Sequence, residues 1–213
     1  MGKIFAIGDI HGCLFKLEEM ISLIKVDPVD DTLVFLGDYI DRGPDARGVV
    51  DLILHLRRNI NNVICLMGNH EQLFLNYYLD NRDKELFLIN GGMSTILSYG
   101  FAGTGDGDKM NVPESHMQFL TTLYPYYETD DYIFVHAGLK PGISLEQQDR
   151  DDILWIRNEF ITSAYDFGKI VVFGHTPFSA PLVGTNKIGI DTGAVYGGKL
   201  TCLELPEIKI HQV

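Results

Sequence analysis

The first third of the chain uses one pattern three times. A short apolar, β-branched run ends in a small polar cluster and is followed by an amphipathic stretch: "KIFAIGD" precedes "LFKLEEMISLIK", "TLVFLGD" precedes "DARGVVDLILHLRRN", and "NVICLMGN" precedes "HEQLFLNYYLDN". Alternation of this kind is the mark of βαβ units, whose crossover helices make neighbouring strands parallel. In the first amphipathic stretch Leu14, Leu17, Met20, Ile21 and Ile24 share one helical face. Pro44 stands just before the second, where its missing N–H is tolerated. The first part of the chain therefore predicts an α/β fold with a largely parallel sheet.

The later chain reads differently. "YIFVHAG", "IVVFGH", "KIGIDTG", "KLTCLEL" and "EIKIHQV" are strand-like runs, several separated only by turns. A second, mixed or antiparallel sheet is expected, giving a two-sheet mixed β-sandwich flanked by helices. Helical candidates lie between the halves near Met93 to Tyr99, Glu114 to Leu123 and Trp155 to Ala164. With no clean linker, residues 1–213 are expected to form one domain, long enough to bury a core without staples. Cys13, Cys65 and Cys202 are odd in number and far apart, and read as reduced packing residues. The turn-rich "GFAGTGDGDKMN", Gly100 to Asn111, lacks Walker spacing and the Ser or Thr after Lys, its distal Glu is out of register for a calcium loop, and it is expected to be a mobile surface loop.

Charge narrows the function classes. Lys and Arg total 17 against 29 Asp and Glu, a formal charge of -12, which opposes a sequence-independent grip on nucleic acid or an anionic membrane. Bound cations would offset part of that charge. The N-terminus enters a strand pattern directly, and no stretch approaches the roughly 18 apolar residues of a membrane span, so a cytoplasmic protein is expected.

The polar clusters carry the chemistry. In α/β sheets ligands bind beyond the carboxyl ends of strands, where loops from several strands meet. The early strands end in "GDIHG" (Asp9, His11), "GDYIDRG" (Asp38, Asp41, Arg42) and "GNHE" (Asn69, His70, Glu71), and two later ones in "VHAG" (His136) and "FGH" (His175). A single strand-terminal Asp often caps a helix or closes a turn, and a single His is often structural. Five such clusters at five strand ends point instead to one shared site. Carboxylate, amide and imidazole donors without thiolate suit first-row divalent ions. Two ions about 3.5–4 Å apart can clamp the attacking and leaving oxygens of an in-line displacement, which points to hydrolysis of a phosphate ester.

In that order, "GDIHG", "GDYIDRG" and "GNHE", with nearly equal intervals from Gly12 to Gly37 and from Gly43 to Gly68, resemble the three-part signature of the phosphoprotein phosphatase family of metallophosphoesterases. "VHAGLKP", "LWIRNEF" and "VFGHTP" extend the resemblance over most of the chain, and its length is similar to bacterial and bacteriophage members. The resemblance implies a calcineurin-like domain with two divalent metals, manganese first and iron or zinc as alternatives. Asp9, His11 and Asp38 would hold one metal. Asp38 would bridge to the second, completed by Asn69, His136 and His175. A metal-bridging hydroxide would attack phosphorus while His70, oriented by Asp41, protonates the leaving alkoxide. Arg42 and Arg157 would grip phosphate oxygens, with Asn69 beside them; from its position alone Arg42 could instead pair with Asp41 or Asp45. Glu71 either braces a ligand loop or merely opens the next helix. His55, His116 and His211 match no motif and read as surface or structural residues.

The expected function is a metal-dependent protein-serine/threonine phosphatase, with phosphotyrosine also open, acting on a phosphorylated protein or peptide. The nearest alternative is a symmetrical diadenosine-tetraphosphate hydrolase or a broad small-molecule phosphoesterase; "GNHE" rather than "GNHD" and the short chain favour the first reading. A non-catalytic scaffold on the same fold is a remote alternative, since the ligands and the acid are all present. "IDTGAVYGG" stands where eukaryotic members have a different active-site loop, and Asp191 within it is expected to close a turn.

Overall fold

A computed structural model describes residues 2–100 and 110–213; most of the Gly100 to Asn111 segment lies outside the described residues. The first three units form β1 (Ile4–Ile7), α1 (Leu14–Leu23), β2 (Thr32–Phe35), α2 (Ala46–Asn59), β3 (Asn62–Cys65) and α3 (Asn69–Asp80). After α4 (Lys84–Phe87), α5 (Met93–Tyr99) and α6 (Glu114–Thr121), the chain continues through β4 (Tyr126–Glu128), β5 (Tyr132–Val135), α7 (Arg150–Trp155), α8 (Asn158–Ile161) and β6 (Ile170–Phe173). It closes with β7 (Leu182–Val183), β8 (Lys187–Gly189), β9 (Thr201–Leu205) and β10 (Lys209–Gln212).

Two five-stranded mixed sheets result, in the orders β10-β9-β1-β2-β3 and β4-β5-β6-β8-β7. β1, β2 and β3 are parallel, as are β5, β6 and β8. One expectation is corrected: "KLTCLEL" and "EIKIHQV" do not join the second sheet but form an antiparallel hairpin on the free edge of β1. Hydrophobic alternation fixes which face of a strand is buried, whereas the edge it joins depends on distant partners.

Period-two burial assembles three cores. Ala6, Val34, Phe134, Val172, Ile188 and Leu203 fill the space between the sheets. Their neighbours Phe5, Ile7, Leu33 and Phe35 point outward onto α1, α2 and the helices after β3. Ile133, Val135, Val171 and Phe173 pack outward against Ile153 of α7 and Phe160 of α8. Strands buried on both faces read as continuous apolar runs. Each fully buried side chain of this size contributes about 1.5–3 kcal/mol before entropy is counted.

Register then positions the site. Ile7, Phe35 and Cys65 are aligned across the first sheet, so the three motif loops leave at one level. Phe173 and Gly189 are aligned in the second, bringing "GH" after β6 beside "IDTG" after β8. The candidate helix Trp155 to Ala164 is also corrected: α7 ends at Trp155, and Arg157 at φ -132°, ψ -104° starts the separate α8. All three cysteines are buried and without disulfides. No helix among the described residues is long and apolar enough to cross a membrane.

Candidate metal centre

The loops after the strands are bent where bending is costly. Eight described non-glycine residues have positive φ, and His11, Asp38, Asp41, Arg42 and His175 are five of them. Left-handed backbone costs an ordinary residue roughly 1–2 kcal/mol, so this concentration is strain held in place by the surrounding structure. Glycines permit the close approach: a Cβ on Gly37, at φ 104°, would lie 2.7 Å from Gly68 N, and one on Gly68 would lie 2.2 Å from Asp38 Oδ1. Glu71, fully buried, accepts from the amides of Asp38 (2.9 Å), Tyr39 (2.8 Å) and Gly68 (3.0 Å). Both expectations for Glu71 are met in one residue, because it also closes the capping turn of α3.

Two clusters of donor atoms meet at Asp38. The possible ligand atoms of His11, Asp38 and His70 lie within 4.8 Å of one another, as do those of Asp38, His136 and His175. Asp38 turns one oxygen to each: Oδ2 is 3.4 Å from His11 Nε2 and Oδ1 is 3.5 Å from His136 Nε2. Asn69 Oδ1 is 3.0 Å from both His136 Nε2 and His175 Nδ1. Asp9 stands in neither set; its carboxylate accepts from the His175 amide at 3.1 and 3.0 Å.

The chemistry of these atoms calls for cations. Burial lowers His11 to about 3, His175 to about 2 and His136 below its ordinary value, so all three are neutral imidazoles. His11 and His136 spend their Nδ1 protons on the carbonyls of Ile40 and Leu36, both at 2.9 Å. Their Nε2 lone pairs therefore face inward. The His136 lone pair looks onto Asn69 Oδ1 and Asp38 Oδ1, and a converging set of acceptors without a proton is the coordination shell of a positive ion. His175 Nε2 is buried with no partner, a costly state that an ion would relieve. At His11, Arg42 Nη1 donates to Nε2 at 2.6 Å, so a guanidinium already supplies positive charge there.

The carboxylates tell the same story. Burial, then Asp191 and Asp38, push Asp9 well above its usual range, while burial raises Asp191 to about 6 with Asp38 adding to it. Burial opposes ionisation of Asp38 too; a proton on the surrounding imidazoles, His136 first, holds it below the usual carboxylate range, and a cation in the same place acts alike. Asp191 closes a turn on Gly193 N at 2.9 Å, as expected, and also joins this buried acidic group. The donor set fits divalent metals.

One member of the first cluster is also a proton carrier. His70 Nδ1 is 2.7 Å from Asp41 Oδ2, and its Nε2 is buried without a partner. Burial alone would lower His70, but Asp38 and the bond to Asp41 raise it. Thr95, buried in α5, donates to Asp41 Oδ1 at 2.6 Å and accepts from Asp41 N at 2.9 Å. Sequence patterning gave no sign of Thr95, since it lies 54 residues from Asp41 outside every motif. Arg42 turns to His11 and the Tyr196 ring, with its guanidinium carbon 5.5 Å from the centroid. Arg157 is exposed and donates weakly toward His175 O at 3.3 Å. His116 is structural, bonded to Tyr99 and Asp51, and His211 pairs with Glu204.

A family model for calcineurin-like phosphoesterases matches residues 2–208. The chain belongs to that family. This calcineurin-like phosphoesterase is similar to serine/threonine-protein phosphatase 1 of Salmonella typhimurium, with 30% identity over 204 residues covering 93% of this chain and 89% of the relative. It is also similar to the asymmetrical bis(5'-nucleosyl)-tetraphosphatase PrpE of Oceanobacillus iheyensis, with 28% identity over 227 residues covering 96% and 89%. A solved structure provisionally described as a diadenosine tetraphosphatase superposes with a TM-score of 0.78 at 25% identity, covering 100% of this chain and 93% of that one. The phosphoprotein phosphatase resemblance and the two-sheet metallophosphoesterase fold are thus borne out, and the chain is a phosphoester hydrolase of a fold that uses divalent metals. The nucleotide-cleaving relative is of the asymmetrical type, unlike the symmetrical alternative raised from the sequence.

Proposed function

We propose that this chain is a two-metal phosphomonoesterase releasing phosphate from phosphoserine and phosphothreonine. The observation that carries this reading is the buried His70–Asp41 pair, 2.7 Å apart, with the outer ring nitrogen unpartnered. A serine or threonine alkoxide is a poor leaving group and departs readily only when protonated, so a positioned acid contributes roughly 10²–10⁴ in rate. A nucleotide leaving from a phosphoanhydride has much less need of that proton.

Asp9, His11 and Asp38 would hold one ion, and Asp38, Asn69, His136 and His175 the other; the oxygen and nitrogen donors suit manganese, with iron or zinc as alternatives. When bound, such a pair supplies Lewis acidity and an activated water. His70 delivers its Nε2 proton to the departing oxygen, while Asp41, steadied by Thr95, fixes the ring through Nδ1. Arg42 and Arg157 would bind phosphate oxygens with planar forks, with the Asn69 amide as a third phosphate contact. The partner is a phosphorylated protein or peptide in the cytoplasm. Phosphate release from phosphoserine, phosphothreonine and phosphotyrosine peptides is the direct test, with peptides expected to turn over. Efficient cleavage of diadenosine tetraphosphate with no release from any peptide would contradict the reading.

A second reading, asymmetrical cleavage of a dinucleoside tetraphosphate, is favoured by the similarity to PrpE. Addition of one water then yields ATP and AMP, whereas symmetrical cleavage yields two ADP. Product chromatography separates the two.

A further inference from the structure

Two aromatic side chains stand exposed at the site, one beside each donor cluster. Trp155, 36% exposed, sets its indole nearly perpendicular to the His175 ring with centroids 5.9 Å apart. Tyr196, 64% exposed, lies against the Arg42 guanidinium, which itself reaches His11. His175 belongs to one cluster and His11 to the other, with Asp38 shared between them. The rings therefore flank the binuclear site from two sides.

Neither ring is a loose surface residue. Trp155 is the last residue of α7, where the chain turns out to place Arg157. The Tyr196 loop is braced throughout: Lys16 Nζ donates to Ala194 O at 3.0 Å and also bonds Gly198 O, Tyr196 N donates to Gly193 O at 2.9 Å, and Gly198 N to the same oxygen at 3.0 Å. A Cβ on Gly198 would lie 2.1 Å from Thr192 O, so the loop is built without slack. A large aromatic held rigidly in solvent costs little entropy to use as a contact surface.

We propose that Trp155 and Tyr196 are stacking platforms for the bases of a nucleoside polyphosphate, with the phosphates spanning the donor clusters between them. The proposal rests on the second functional reading and makes these two residues its specificity determinants. An uncharged planar base is suited to these rings in an acidic chain, since the anionic part of the ligand is confined to the metal and arginine region between them. Stacking is tolerant of base identity because every base has a π face.

Trp155 is the single tryptophan of the chain, which gives a binding signal independent of turnover. The metal-loaded full chain is titrated with adenosine 5'-(α,β-methylene)diphosphate and with ribose 5'-(α,β-methylene)diphosphate, which differ only in the base and whose P–C–P bridge resists hydrolysis. The nucleotide is expected to quench Trp155 fluorescence and bind about tenfold or more tighter than the base-free analogue, the size expected of one stacked base. A single base takes one platform at a time, so Tyr196→Ala and Trp155→Ala should each reduce that preference, the double variant should abolish it, and Tyr196→Phe should retain it. Equal affinity for the two analogues, or a preference that survives in the Trp155→Ala, Tyr196→Ala double variant, overturns the proposal. So does quenching and tight binding by a phosphoserine peptide when the nucleotide gives neither. Absence of ATP and AMP among the products from diadenosine tetraphosphate would strike the second functional reading without touching this binding result.

Discussion

The two ends of β1 handle charge in opposite ways. Near its amino end, Glu204 is surrounded by partners of the protein's own: the Lys3 ammonium, that of Lys209 at 3.5 Å, and the His211 ring at 2.7 Å. Hydrogen bonds from Lys3 and His211 hold its carboxyl down to about 2. At the carboxyl end, Asp9, Asp38, Asp41 and Asp191 are buried among imidazoles that burial keeps mostly neutral, and Asp9 and Asp191 are pushed upward instead. One end is electrostatically complete as a polypeptide. The other is completed by something with positive charge, and the strained loops at His11, Asp38 and His175 hold it ready.

The contrast can be broken most severely at Asp38, which both donor clusters share. Asp38→Asn is expected to cut phosphoester turnover by roughly 10³-fold or more, since several kcal/mol of metal-derived stabilisation are lost at once. Steady-state phosphate release measures it; a variant within tenfold of the parent would mean the shared carboxylate is not central. His70→Asn separates proton delivery from metal holding. Its turnover should fall about 10²–10⁴-fold on alkyl esters and much less on p-nitrophenyl phosphate, whose leaving group needs no proton. An equal loss on both substrates would remove His70 from the acid role.

Thr95→Val is milder. It deletes the hydroxyl bonded to Asp41 while preserving shape, and partners of this kind typically carry 10–100-fold. The loss is expected in kcat with KM nearly constant, and a change in KM alone would assign Thr95 to substrate binding. The smallest effect belongs to the complete end. Because the folded Glu204 carboxyl titrates below its unfolded counterpart, its stabilisation is whole above about pH 4.5 and is lost as pH falls toward 2. Glu204→Gln should therefore lower stability by about 1 kcal/mol at neutral pH, screened by the exposure of Lys3 and Lys209, and the gap to the parent should close on acidification. Chemical denaturation at several pH values reads it; a gap that widens in acid would reverse the sign.

Much of the carboxyl end was legible in the residues themselves. The Gly-Asp and Gly-Asn steps after β1, β2 and β3 carry both the local turn and the donor, so sequence, backbone and chemistry coincide there. Residues whose role depends on tertiary approach were not legible. Thr95 reaches Asp41 only because α5 packs over the "GDYIDRG" loop, where Arg42 N donates to Gly91 O at 3.1 Å. The hairpin of β9 and β10 has the same alternation on either sheet, and only the open edge of β1 decides its place. Arg157 interrupts an apolar pattern that reads as one helix, and the break turns it toward His175. Trp155 and Tyr196 looked like ordinary aromatics until their neighbours were known.

Metal stoichiometry bears most directly on the incomplete end of the sheet. Chelator-stripped protein titrated with Mn²⁺ by calorimetry is expected to bind two ions per chain, with both sites weakened in Asp38→Asn and both retained in His70→Asn. Binding of one ion or none by the parent, or two undiminished sites in Asp38→Asn, would contradict a binuclear centre bridged by that carboxylate.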